Sequence, residues 1–166
     1  MSLSAADAVT LPENPIDVLE RIATLQNWPF DRPAEDELSL VVTGSWCDYD
    51  VSFTWRDDLN GVHMASAFDL KMQASKLPDV HALLARINAQ LWLGHFDIWK
   101  DEGAVLFRHG LLLGAGDATA EQCEMLLSLA VEACERYYPA FQFVLWAGHS
   151  ADDAMAACMF ETQGTA

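Results

Sequence analysis

Five histidines, four cysteines and 25 acidic side chains are the groups in this 166-residue chain that could hold a metal or move a proton. The histidines are His63, His81, His95, His109 and His149. No two stand four residues apart, so the helical HExxH pattern of zinc hydrolases is absent. His95-Phe96-Asp97 offers two ligand types from one strand face, with His109 across the following turn. The same pattern is equally that of a solvated face with paired charges. Cys47, Cys123, Cys134 and Cys158 contain no C-x-x-C pair, so neither a zinc knuckle nor a redox motif is present. Cys123 and Cys134 lie about three helical turns apart and share one helix face, as small buried hydrophobes would. Gly44-Ser45-Trp46-Cys47 places a hydroxyl and a thiol in one loop, but no G-x-S-x-G elbow supports a nucleophile there. Gly114-Ala115-Gly116 precedes a helix, yet Thr119 stands where a dinucleotide fingerprint needs its third glycine. The acidic pairs Asp48/Asp50, Asp57/Asp58, Asp101/Glu102 and Asp152/Asp153 fall at turns and helix starts, where acids are locally favoured. The expectation is therefore no catalytic residue, no cofactor and no metal: not an enzyme.

The elements that position these residues are legible from periodicity. Asn14-Pro15 starts a helix, with Asn14 as the N-cap, and Ile16, Leu19, Ile22 and Ala23 form its stripe. Trp28-Pro29 ends it, and an acidic connector runs from Asp31 to Glu37. Alternation in Leu38–Trp46, Val51–Arg56 and Val62–Leu70 predicts three half-buried strands in a meander. Asn60-Gly61 is a hairpin signal. A second helix opens at Pro78-Asp79, carries Val80, Leu83, Leu84, Ile87 and Leu91, and stops at Gly94. His95–Trp99 and Val105–Leu113 read as a second hairpin. Thr119-Ala120-Glu121-Gln122 is a capping box for a long helix whose apolar face runs from Cys123 to Phe141. Pro139 should kink or interrupt that helix, and the pattern leaves Phe141 to Trp146 as either helix or extended chain. A short last helix, capped by Ser150, runs to about Phe160. The predicted class is α+β: a two-layer antiparallel sheet with helices on one face, in the order α-β-β-β-α-β-β-α plus a C-terminal helix. Residues 1–13 read as a flexible tail, 14–160 as a single domain and 161–166 as a C-terminal tail.

Composition narrows the partners. Only nine basic residues offset the acids, giving a net charge of −16, while 52% of residues are apolar. That combination argues against disorder, and the charge sign argues against nucleic-acid backbones and anionic membrane surfaces. Residues 1–14 lack the pattern of a signal peptide, so a cytoplasmic protein with reduced thiols is expected. The charge is uneven: residues 1–70 carry −10, residues 71–116 carry +1 and residues 117–166 carry −7. The neutral middle third is where repulsion least opposes association. Of the six tryptophans, Trp92 and Trp99 lie there. Together with Phe96 they are the candidate protein interface, with a homodimer or a partner polypeptide as occupant.

Certain segments resemble the YbjN-domain family. These are Ile87-Asn88-Ala89-Gln90-Leu91-Trp92-Leu93-Gly94-His95-Phe96 leading into a hairpin, Phe107-Arg108-His109-Gly110-Leu111-Leu112-Leu113, and the ending Val144-Leu145-Trp146-Ala147-Gly148-His149-Ser150-Ala151-Asp152-Asp153-Ala154. The resemblance covers about Pro15 to Phe160. It implies a bacterial sensory transduction regulator with a fold like that of type III secretion chaperones, which are small, acidic, commonly dimeric proteins. It implies a regulatory or chaperone-like function exerted by binding a protein, and it carries no catalytic residue. The competing expectation is a small-molecule sensor with a pocket between the sheet and the long helix.

Overall fold

The computed structural model describes residues 13–163. Helix α1 (Pro15–Gln26) is followed by strands β1 (Phe30–Ala34), β2 (Glu37–Thr43), β3 (Asp48–Arg56) and β4 (Gly61–Lys71). Helix α2 (Leu77–Asn88), the hairpin β5 (His95–Trp99) and β6 (Ala104–Leu112), and helices α3 (Ala120–Leu145) and α4 (Ala151–Gln163) complete the chain. The strands form one antiparallel six-stranded sheet in the order β1-β2-β3-β4-β6-β5, with the helices on one face. The α+β class and the single helical layer are as the alternation predicted.

The predicted helix starts are present. Asn14 Oδ1 accepts from Ile16 N at 2.8 Å, and Thr119 with Gln122 forms the reciprocal capping box. The helix-facing row of the sheet is Leu38, Leu40, Val42, Tyr49, Val51, Phe53, Val62, Met64, Phe68 and Leu70, all buried. The space between sheet and α3 is filled by aromatic rings. Phe68 meets Tyr49, Phe96, Tyr138 and Phe141, and Phe96 meets Phe107, Tyr137 and Phe141, at centroid separations of 5.2–6.1 Å.

Several expectations need correction. The connector Asp31–Glu37 is not a loop: β1 occupies Phe30–Ala34, so the meander has four strands. Its residues are mostly exposed because β1 is an edge strand, which leaves no apolar alternation to read. Helix α2 stops at Asn88, before Leu91 and Gly94, and α4 continues to Gln163. Pro139 does not interrupt α3, which runs unbroken through Phe141 to Leu145. The proline leaves the Glu135 carbonyl without its helical donor. The Trp46 indole supplies one, Nε1 donating to that carbonyl at 3.2 Å, while its ring stacks on Tyr138. The tail assignments for residues 1–12 and 164–166 lie outside the described residues. Glu13, placed in that tail, donates its backbone N–H to Asp117 and pairs with Arg21.

Candidate protein-interaction surface

The groups that could do chemistry are dispersed or structurally engaged. His63 Nε2 accepts from Arg108 Nε at 3.2 Å, and Arg108 also pairs with Asp97 at 3.0 Å, which ties that carboxylate to a cation. His109 lies opposite Met64 in register, on the helix side of the sheet, away from Asp97. No group of three metal-ligating side chains occurs among the described residues. Burial pushes the thiols of Cys123 and Cys134 up to about 11 and about 12, and that of Cys47 above its ordinary value. A nucleophilic thiol needs the opposite shift. Ser45 uses its backbone N–H to bind the Glu135 carboxylate at 2.9 Å. The loop at Gly114 is anchored by Asn60 Nδ2, which donates to the carbonyls of Gly114 and Gly116.

Burial, reinforced by neighbouring positive charge, holds the His63 and His109 imidazoles below the ordinary value of 6.5. A depressed folded value means that the neutral rings stabilise the fold fully above 6.5, and that this contribution is lost as pH falls through the lowered values. The melting temperature should therefore decline by a few degrees between neutral and mildly acidic pH. Thermal melts of a His63→Gln/His109→Gln variant should show a flatter dependence over that window.

Among the described residues, two of the surfaces that present apolar side chains hold the predicted tryptophans. The first is the α2–β5 corner. Asn88 brackets Phe96, its Oδ1 accepting from Phe96 N at 2.8 Å and its Nδ2 donating to Phe96 O at 3.0 Å. Gly94, at φ +71°, lets the chain pass close over the Phe107 ring. The residues between are pushed outward: Trp92 is 99% exposed and Leu93 57%. Beside them lies a groove of about 580 Å³ with Leu111, Met125 and Leu129 in its lining and Glu121, Glu124 and Glu132 among its acids. The second surface is the face of the sheet that carries no helix. There a trough of about 500 Å³ runs over Ser52, Ala65 and Ala67 between Val41 and the pair Leu106 and Trp99.

Two of the three predicted interface residues are exposed, one on each surface: Trp92 at the corner and Trp99, 52% exposed, at the trough. Phe96 is different. It is 2% exposed and sits in the aromatic core, so its ring cannot meet a partner. Alternation in β5 places Phe96 and Ile98 inward and His95, Asp97 and Trp99 outward. Leu93 and Met125 were missed. Met125 could have been found as the apolar residue interrupting the Glu121, Glu124 and Ser128 face of its helix.

Comparison with known proteins places this geometry. The fold is similar to the crystal structure of YbjN, a putative transcription regulator from E. coli, at 18% identity and a TM-score of 0.51, covering 72% of this chain and 85% of that one. It is also similar to the crystal structure of the ExsC–ExsE complex, at 15% identity and a TM-score of 0.50, covering 76% of this chain and 96% of that one. No curated protein matches the sequence. The model of the YbjN family, described as putative bacterial sensory transduction regulator, matches residues 15–143. The chain carries that family's pattern through the whole sheet and most of the long helix, and it belongs to the YbjN family.

Proposed function

We propose that this protein is a non-enzymatic cytoplasmic regulator that acts by binding polypeptide through apolar surface, and that it forms a homodimer at the α2–β5 corner. The observation that carries this reading is Trp92, fully exposed beside Leu93 and next to an apolar groove. Exposed aromatic side chains of this size are what interfaces use as anchors. In a two-fold arrangement the same patch serves both partners, so each Trp92 can enter the groove of the other copy. The corner Ala89–Phe96 contains no acidic residue, so it brings no like charge to Glu121, Glu124 and Glu132. A chain of similar fold takes part in the ExsC–ExsE complex, which supports a role in binding another protein. The sensor alternative finds the space between sheet and long helix occupied by aromatic side chains.

Sedimentation equilibrium tests the dimer. The wild-type protein should be dimeric at micromolar concentration, and Trp92→Ser should weaken association by about 30-fold or more, because the dimer loses an aromatic anchor from each copy. A wild-type protein that stays monomeric at high concentration, or a Trp92→Ser variant that dimerises equally well, would remove the reading.

A further inference from the structure

The helix-free face of the sheet carries an inference beyond self-association. Strand register builds this face row by row. Val41, Asp50, Ala67 and Leu106 stand side by side across β2, β3, β4 and β6, and Ser39, Ser52 and Ala65 form the adjoining row. In the two central strands the outward positions of these rows are small or acidic, so the sheet dips between Val41 and the pair Leu106 and Trp99. Trp99 is half exposed at its edge. The floor is apolar, but its surroundings are not. Asp31, Asp50 and Glu102 line the trough, and Asp48 and Asp69 line the cavity that continues from it. Lys71 is the one base that lines either. Among the described residues, none of these five carboxylates has an ion-pair partner.

We infer that this trough docks a segment of another protein in which apolar residues alternate with lysine or arginine. The apolar residues would cover Val41, Ala65 and Ala67. The cationic side chains would lie along the apolar floor by their methylene stems and place their charges among the unpaired carboxylates. The Trp99 indole offers a further face for such a cation. Charge decides between occupants. A second copy of this chain, at −16 overall, would bring further acids to unpaired acids. A nucleic acid would do the same with phosphates. A basic amphipathic peptide satisfies both the floor and the rim. This inference does not rest on the dimer, which uses the opposite side of the sheet.

The probe is a fluorescein-labelled octapeptide alternating leucine with lysine, titrated by anisotropy at physiological ionic strength against the full chain. It should bind in the micromolar range. Ala67→Leu fills the trough without altering charge and should weaken binding about tenfold. Asp50→Asn should weaken it severalfold. Trp99→Ala, at a half-exposed position, gives a second trough variant should Ala67→Leu not fold. The inference is overturned if both trough variants bind like wild type. It is also overturned if a serine–lysine octapeptide or spermine binds equally well, because overall charge would then suffice. A change in sedimentation caused by Ala67→Leu would assign the trough to a second copy and overturn it too.

Discussion

Replacing Gly94 with alanine should destabilise the protein by about 2–5 kcal/mol, one of the two largest effects expected of a single substitution here. Two costs combine. Gly94 has φ +71°, where an L side chain costs about 1–2 kcal/mol. A Cβ at that position would also lie 2.2 Å from Cζ of Phe107 and 2.9 Å from both Cε atoms. Phe107 is fully buried and packed edge-on against Phe96 at 5.2 Å, so its ring has nowhere to move. Overpacking of this kind costs about 1–3 kcal/mol. The result should appear as a lowered midpoint in urea with an unchanged slope. Association should weaken in the same variant, because the backbone that presents Trp92 and Leu93 is displaced. A loss under 1 kcal/mol would mean that the corner is looser than its contacts imply.

The second large effect is expected at Glu135, where Glu135→Ala should cost about 3 kcal/mol. One carboxylate oxygen accepts from both the Tyr49 hydroxyl and the Ser45 backbone N–H. Tyr49 is fully buried, so removing the acceptor leaves a phenol without its partner in the interior. Glu135→Gln keeps a side-chain oxygen for these donors and should cost about 1 kcal/mol. Burial alone would raise the Glu135 carboxyl, but the bonds from Tyr49 and Ser45 outweigh it and hold the group below its usual range. A lowered folded value stabilises the fold above the unfolded value, and that stability is lost as pH falls through the folded one. Chemical denaturation across the acid range should therefore show a shallower decline for Glu135→Gln than for wild type. Equal slopes would show that Glu135 is not held in its ionised form by the fold.

These two residues show what the sequence could and could not disclose. The helix caps at Asn14 and Thr119 and the alternation in β2, β3 and β4 are local signals, and each predicted its element. The failures are long-range. Pro139 is a helix breaker by its own chemistry, and only Trp46, 93 positions earlier, supplies the donor that makes it tolerable. Strand β1 has no local pattern because its neighbour is β2 alone. Phe96 and Trp99 look alike as aromatics in one strand, but three residues apart they face opposite sides of the sheet. The trough was invisible for a related reason. Alanine and serine at Ser52, Ala65 and Ala67 carry no signal singly, and only register brings them side by side.

The sheet ends in two strands, and each is closed against its own kind. An open strand edge offers a ladder on which further chains can polymerise into fibres. On β5, the side-chain amide of Asn88 fills the hydrogen-bonding groups of Phe96 with what amounts to one borrowed peptide unit. On β1, Pro33 lacks a backbone N–H, and the pairing with β2 is irregular between Asp31 and Ala34. A chain that exposes Trp92, Leu93 and Trp99 thus leaves its sticky side chains to seek partners, while neither edge strand among the described residues offers an uninterrupted ladder to extend.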